Sequence, residues 1–448
     1  MIEELVPRLT PEERDEKLRR QIAYDLTSPF YRERFEEHSI DPSTIRTLED
    51  VRTLPIFITP DVHRQEQERT LVEEGHPFGR FLCAPPDRIV AVNSTSGTTG
   101  VPTFYAFTQK DVAATDRLWA RACRFVGVRP GDRVMIGYGL SMYLAGVPLI
   151  RALERMGACP IPVGAEVGAE KLIRMMALLR PRVLACTPSY AEHLLERVPE
   201  VLGHEAAGLG VEILICAGEP GAGLPEVRSK LTAGWGAKVF DMLGGAHGIM
   251  MASCHAAEYQ GMHVLGDDYS ISTDLVEPDS DQPIDIVDGA IGERVKTAID
   301  WEAQPPLRYS VGDVYQVFTE TCPCGVPGTR IKVLGRVDDL LIVKGTKLYP
   351  AAIKNLINSF VPRLTGEFRI VLDGPPPRVK PPLRLRVEAA PGAGPEVVEQ
   401  LAAEVAETMH RRFAVRPQVE MVAAGTLPRS THKQKLIEII DEKEGTSL

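Results

Sequence analysis

The chain has 448 residues, an apolar share of 44% and a formal net charge of -10. That length exceeds one ordinary domain, so two or three are expected, with ample apolar material for a core. The negative balance argues against nucleic acid or an anionic membrane surface as partner, and no apolar run reaches the roughly 18 residues of a spanning helix. The opening Met1-Ile2-Glu3-Glu4 lacks the basic-then-apolar pattern of a secretion signal. The eight cysteines are scattered, apart from Cys254 and the pair Cys322 and Cys324, so a reducing, cytoplasmic setting is expected.

Thr10-Pro11-Glu12-Glu13 is a capping box with proline at the first helical position, and predicts a helix from there. Ile89 to Val92 reads as a strand, Ser94 to Gly100 as a loop, and Thr103 to Thr108 as a second strand. Strand, hydroxyl- and glycine-rich loop, strand is a way to wrap a polyphosphate: glycines let backbone N–H groups turn inward and hydroxyls add donors. The P-loop of kinases and ATPases is excluded, because Gly100 is followed by Val101 and Pro102 rather than by Lys-Ser/Thr. A plain polar hairpin loop is the competing reading.

Thr108-Gln109-Lys110-Asp111 caps a helix to about Val126. Strands at 134–138, 159–163, 182–186, 212–217 and 238–242 then alternate with helices at 149–156, 170–179, 188–197 and one ending near 233. Repeated strand–helix units imply parallel sheet covered by helices, with ligands at the carboxyl ends of the strands. Tyr138, Ala217-Gly218-Glu219-Pro220 and Leu243-Gly244 lie at such ends. From about 261 to 331 strands shorten and turns multiply, predicting a β subdomain. A boundary is expected at 335/336. Beyond it, strands near 369–372, 383–387 and 418–422 and an amphipathic helix at 395–412 predict a small mobile α+β domain.

Ser96-Gly97-Thr98-Thr99-Gly100-Val101-Pro102-Thr103, read as one block, resembles the phosphate loop of the adenylate-forming superfamily of acyl-CoA ligases, adenylation domains and luciferases. The stretch from Ser28 to Asp61, with four later blocks in order, narrows the resemblance to the phenylacetate–CoA ligase family over essentially the whole chain. Those blocks are Ala217–Pro220, Tyr309-Ser310-Val311-Gly312-Asp313, Gly335-Arg336-Val337-Asp338-Asp339 and Leu427-Pro428-Arg429-Ser430-Thr431-His432-Lys433. Taken singly, each has a plainer reading, a turn for the Asp after Gly and a solvated surface residue for the Lys.

The resemblance implies a carboxylate that attacks the α-phosphate of ATP, followed by transfer of the acyl group to coenzyme A. Ser94, Thr95, Ser96, Gly97, Thr98, Thr99 and Gly100 would hold the phosphates, and Mg²⁺ would ride on them. Ala217, Gly218, Glu219 and Pro220 would pack on the adenine. Asp313 would accept both ribose hydroxyls, since one carboxylate suits a vicinal diol. Arg336 would lie near the ribose, and Asp241, Leu243 and Gly244 would complete the nucleotide set. Lys433, Thr98 and His247 are the catalytic candidates, and Asp338 is the hinge about which Lys344 and Gly345 would later approach. Tyr138, Gly139, Leu140, Ala217, Leu243 and Gly244 are expected to line the pocket of a small aromatic acid. A homodimer is a further expectation.

A second constellation is Cys254, His263, Cys322 and Cys324, a set suited to structural Zn²⁺, with His255 as a competing ligand and plain buried or turn cysteines as the alternative. The chain also departs from the family. Leu243-Gly244-Gly245-Ala246-His247 stands where a Tyr-Gly-x-Ser/Thr-Glu block is expected, so the metal-binding carboxylate is a histidine. Val101 replaces a frequent Lys or Arg and His432 a Gly. Two other readings stay open: acyl transfer to a carrier-protein thiol or an amine, and a non-catalytic nucleotide-binding relative.

Overall fold

The computed structural model describes residues 9–95, 102–256, 258–266, 268–278, 280, 282–429 and 435–440, without the side chains of 272 and 273. Thr10 caps α1 (Pro11–Asp25) through the predicted reciprocal bonds with Glu13. Helices α2 (Pro29–Glu37), α3 (Leu48–Arg52) and α4 (Pro60–Glu73) follow. Their apolar faces, with Tyr31, Phe35 and Phe57, pack on Leu307 and Tyr309. The predicted strand–loop–strand is an antiparallel hairpin of β1 (Ala91–Ser94) and β2 (Phe104–Phe107), in register Ser94↔Phe104. The first strand begins two residues later than expected, because Pro86–Arg88 forms a 3-10 turn just before it.

Helix α5 (Gln109–Phe125) starts at the Thr108 capping box. Next come β3 (Arg133–Ile136), α6 (Val147–Arg155), β4 (Cys159–Ile161), α7 (Ala169–Leu179), β5 (Val183–Cys186), α8 (Pro188–Leu202), β6 (Ile213–Cys216), α9 (Pro225–Trp235) and β7 (Lys238–Gly245). Helix α8 carries Pro199 through its last turn, ends at Leu202, five residues beyond the expected end at Arg197, and closes on Gly203 at φ 76. A left-handed glycine is the usual way to stop a helix. Strands β8 (Ile249–Ser253), β9 (Met262–Val264), β10 (Ser270–Val276), β11 (Ile291–Ala298), β12 (Tyr309–Phe318) and β13 (Arg330–Arg336) complete this part.

All these strands after the hairpin belong to one sheet of eleven, in the order β10-β11-β12-β13-β9-β8-β7-β6-β5-β3-β4. The expected β subdomain is therefore the antiparallel half of the same sheet. The join is β7. Its residues 238–241 pair parallel with β6, and residues 242–245 pair antiparallel with β8.

After Arg336 the chain turns through Val337–Asp339 and leaves that sheet. Strands β14 (Leu341–Val343) and β15 (Thr346–Leu348) form a hairpin, and helix α10 (Pro350–Asn358), β16 (Leu364–Leu372), β17 (Arg378–Val379), β18 (Arg384–Ala389), α11 (Pro395–Phe413), β19 (Gln418–Val422) and β20 (Ile437–Ile439) follow. They form a three-stranded and a four-stranded sheet. Leu341, Ile353, Phe368, Leu385, Leu401, Val405 and Met409 share a separate apolar core. The helix expected at 395–412 is present, and of the predicted stripe of Val398, Leu401, Val405 and Met409 it buries the last three, with Val398 half-buried.

Candidate active site and cysteine cluster

Thr187, Ala217 and Asp241 to Leu243 lie at neighbouring strand ends, where the parallel ladder of β6 stops and β7 continues against β8. A crevice at such a switch is the usual ligand position in an α/β sheet. Gly218 adopts φ 94, a conformation that favours glycine. Glu219 accepts the backbone N–H of Ser189, 2.8 Å away, so the 217–220 segment is tied to the start of α8. Pro220 is half-buried beside it. Asp241 accepts a bond from the Tyr259 hydroxyl at 2.7 Å. Burial pushes its carboxyl up to about 6, although Tyr259, Arg228 and Lys332 all favour its charge. Leu243 and Gly244 are half-buried, and a side chain on Gly245 would meet open space.

Of the phosphate-loop candidates, Ser94 is buried at the end of β1, and Thr95 closes the hairpin against Thr103 by bonds of 3.1 and 3.2 Å. Ser96, Gly97, Thr98, Thr99 and Gly100 lie outside the described residues, and so does Lys433. Arg429, four residues before Lys433, is anchored to the buried carboxylate of Glu388 by bonds of 2.8 and 3.2 Å.

Asp313 and Arg336 face each other across β12 and β13, with Arg336 bonded to Asp313 at 3.3 Å and to Asp338 at 3.0 Å. One guanidinium thus joins the ribose candidate to the hinge candidate. Lys344 and Gly345 form the two-residue turn between β14 and β15, both at positive φ (50 and 87) as a type I′ hairpin requires. Lys344 is exposed. Tyr138 is buried, and its hydroxyl donates to the Ile215 carbonyl at 2.9 Å, which spends its polar end on the sheet. Gly139 is closed in by the Tyr143 ring, while half-buried Leu140 donates its N–H to Glu166.

His247 has the most unusual surroundings. It sits at φ 71 in the turn between β7 and β8, buried beside Tyr105 of the hairpin, Trp301 and Tyr309. Lys296 of β11, itself buried, approaches the His247 Nδ1 to 2.8 Å and lies 4.5 Å from the centre of the Tyr309 ring. Burial drives the Lys296 pKa well below its ordinary value, with Arg294 adding to the effect. Burial and then Lys296 do the same to His247. The imidazole is therefore neutral. Lys296 and Nδ1 share one hydrogen bond, and Nε2 is buried without a partner among the described residues. Mg²⁺ prefers hard oxygen ligands, and an imidazole nitrogen already facing an amine does not fit that role.

Residues 345–443 match the model of the AMP-binding enzyme C-terminal domain. A phenylacetate-coenzyme A ligase from Thermus thermophilus is 30% identical over 418 residues, covering 90% of this chain and 87% of that protein. The chain belongs to the phenylacetate–CoA ligase family. As a member it is an AMP-forming acid–thiol ligase, with ATP-dependent acid activation and ligation to coenzyme A as its chemistry. A solved 2-hydroxyisobutyryl-CoA ligase in the postadenylation state with 2-HIB-AMP is similar with TM-score 0.86 at 28% identity, covering 97% of this chain and 90% of that one. The same enzyme with 2-HIB-AMP and CoA in the thioesterification state gives 0.66 at 28% identity, covering 96% and 90%. The domain arrangement of this phenylacetate–CoA ligase relative is therefore nearer the postadenylation one.

The cysteine set closes on itself. Ligand atoms of Cys254, His263, Cys322 and Cys324 all lie within 4.8 Å of one another. The Cys254 and Cys322 sulfurs are 3.6 Å apart, and Cys324 is 3.4 Å from His263 Nε2. A disulfide would need about 2.0 Å. A tetrahedron built on Zn–S bonds of about 2.3 Å and Zn–N bonds of about 2.0 Å has edges of roughly 3.5–3.8 Å, so this donor set fits Zn²⁺. His263 joins the cluster, whereas His255 is exposed. Sequence reasoning missed Lys296, although a lone Lys in the run Ile291–Ala298 was a visible signal. It also missed Tyr259, for which the sequence carried none.

Proposed function

We propose that this ligase activates an aromatic, phenylacetate- or benzoate-like carboxylic acid as an acyl-adenylate and passes the acyl group to coenzyme A, releasing pyrophosphate and AMP. The observation that carries this reading is the 30% identity to a phenylacetate-coenzyme A ligase across nearly the full length of both chains. Residues 1–335 form the large domain and 336–448 the lid, with the pivot near Asp338. Ser94 to Gly100, with Thr98 among them, bind the phosphates. Gly218, Glu219, Pro220, Asp241, Leu243 and Gly244 bind the nucleotide base side, and Asp313 with Arg336 the ribose. Lys433 stabilises charge on the α-phosphate as it becomes five-coordinate, the kind of fixed donor that phosphoryl chemistry requires. Tyr138, Gly139, Leu140 and Ala217 shape the acid pocket. Lys344 and Gly345 serve the thioester step after the lid turns. The Cys254, His263, Cys322 and Cys324 set holds a structural Zn²⁺: all four donors are protein atoms, so no position is left for a substrate.

A pyrophosphate-release screen over a panel of aromatic and aliphatic acids, with and without coenzyme A, tests the reading. Release with phenylacetate or a benzoate, and acyl-CoA only when coenzyme A is added, is the expected result. Activity confined to short hydroxy acids would replace the aromatic substrate class, and AMP release only with a carrier protein or amine would replace the acceptor.

A further inference from the structure

The C-terminal domain touches the large domain mainly through α10. The Lys354 ammonium, 3% exposed, lies 3.6 Å from Glu192 of α8. Glu192 also holds Lys230 of α9 at 3.2 Å. One residue on, the Asn355 side-chain oxygen accepts the Glu226 N–H at 3.2 Å and so caps the first turn of α9 from the other domain. Ala351 completes the patch, buried in the large domain's own core with Leu224 and Val227. Arg429 reaches Glu196 of α8 at 3.4 Å from the same side.

Burial alone would discharge Lys354, but Glu192, Glu219 and Glu367 outweigh it and raise its pKa. Two of those carboxylates belong to the large domain. Glu219 is also the residue tied to the adenine segment. If the C-terminal domain turned away, Lys354 would lose Glu192 and Glu219, and Glu192 would keep Lys230. The buried pair exists in this orientation, and a buried charge stripped of its partner is costly. Arg429, four residues before Lys433, is held to the same domain by its bonds to Glu388.

We propose that Lys354 is a positioning residue: its pairing with Glu192 holds the C-terminal domain in the orientation that forms the acyl-adenylate, and so sets the balance between the two half-reactions. The inference rests on the two-step reaction under Proposed function. Its geometric support is the set of cross-domain contacts, and the nearer arrangement, TM-score 0.86 against 0.66, is one solved with a finished acyl-adenylate rather than in the thioesterification state.

The test compares Lys354→Met, Lys354→Arg, Glu192→Gln and the Lys354→Met/Glu192→Gln double variant. Pyrophosphate release is read with phenylacetate and ATP, and thioester formation with synthetic phenylacetyl-adenylate and coenzyme A. Lys354→Met should lower the first rate about tenfold or more by depopulating the competent orientation. It should leave the second within about twofold or raise it, since that step needs the domain elsewhere. Lys354→Arg should restore the first rate, and the double variant should be no slower than Lys354→Met. Hydrogen exchange of α10 amides, which needs no acid, should rise in Lys354→Met and not in Lys354→Arg. Equal loss in both half-reactions, an unchanged first rate, or unchanged α10 exchange each overturns the proposal. A wild type inert toward every acid sinks the functional reading instead, and the exchange measurement still decides this one.

Discussion

Replacing Lys296 by methionine tests whether the buried amine beside His247 is neutral in the folded protein. Lys296 has 3% exposure, one hydrogen-bond acceptor at 2.8 Å and an aromatic face at 4.5 Å. Its folded pKa is well below its ordinary value, first through burial. Above about pH 10.4 the unfolded chain also carries a neutral lysine, and the group costs nothing. As pH falls, the unfolded chain takes up a proton that the folded one does not, so stability is lost at about 1.4 kcal/mol per pH unit until the folded pKa is reached. Lys296→Met removes this loss and keeps a side chain of similar length. The variant should gain on wild type as pH falls, and the gap should shrink between pH 7 and pH 8.5, by at most about 2 kcal/mol, which is the full one-proton slope over that window. His63, pushed down to about 3, is neutral across that window and adds no slope. Guanidinium unfolding followed by tryptophan fluorescence is the assay, since Trp119, Trp235 and Trp301 are the chain's three tryptophans and all lie in the large domain. Parallel pH profiles for the two proteins, or a gap that widens with pH, would refute a neutral Lys296.

His247→Glu would place a carboxylate against Lys296, so it should restore that ammonium's charge and leave the Mg²⁺ concentration for half-maximal adenylation unchanged; a lowered requirement would mean residue 247 faces the metal. Lys433→Ala should cost roughly a hundred- to a thousandfold in pyrophosphate release while thioester formation from supplied acyl-adenylate persists. Loss of both to the same degree would remove Lys433 from the first step. Elemental analysis should find about one Zn²⁺ per chain, as one closed four-donor set implies. Chelation or Cys254→Ser should lower the melting temperature without favouring either half-reaction, and metal-free fresh protein would end the zinc assignment.

What the sequence made legible was local. The capping boxes at Thr10 and Thr108, the hairpin around the hydroxyl-rich loop and the stripe of Leu401, Val405 and Met409 all depend on neighbours a few residues apart. The Cys254, His263, Cys322 and Cys324 grouping was readable because its residue types point to one chemistry. The sequence named His263 with His255 as its competitor, and the pairing of β9 with β13 places His263 in the cluster. Lys296 meets His247 across 49 residues, and Lys354 meets Glu192 across a domain boundary. No periodicity records such pairings. The join within one sheet was hidden for a similar reason: β7 looks like any short apolar strand until both of its partners are known.

That strand limits how the enzyme can move. Its first four residues are stitched to the parallel half and its last four to the antiparallel half, so neither half can swing without tearing a ladder. Asp241 to Leu243 lie on that seam, and the crevice they border is a fixed floor rather than a pair of jaws. On the proposed two-step reaction, entry of the acid, departure of pyrophosphate and arrival of the thiol would then fall to the part of the chain beyond Arg336, which has its own sheets and core. Under that proposal traffic and chemistry share one moving part, and a variant that stiffens it would slow exchange of ligands and exchange of steps together.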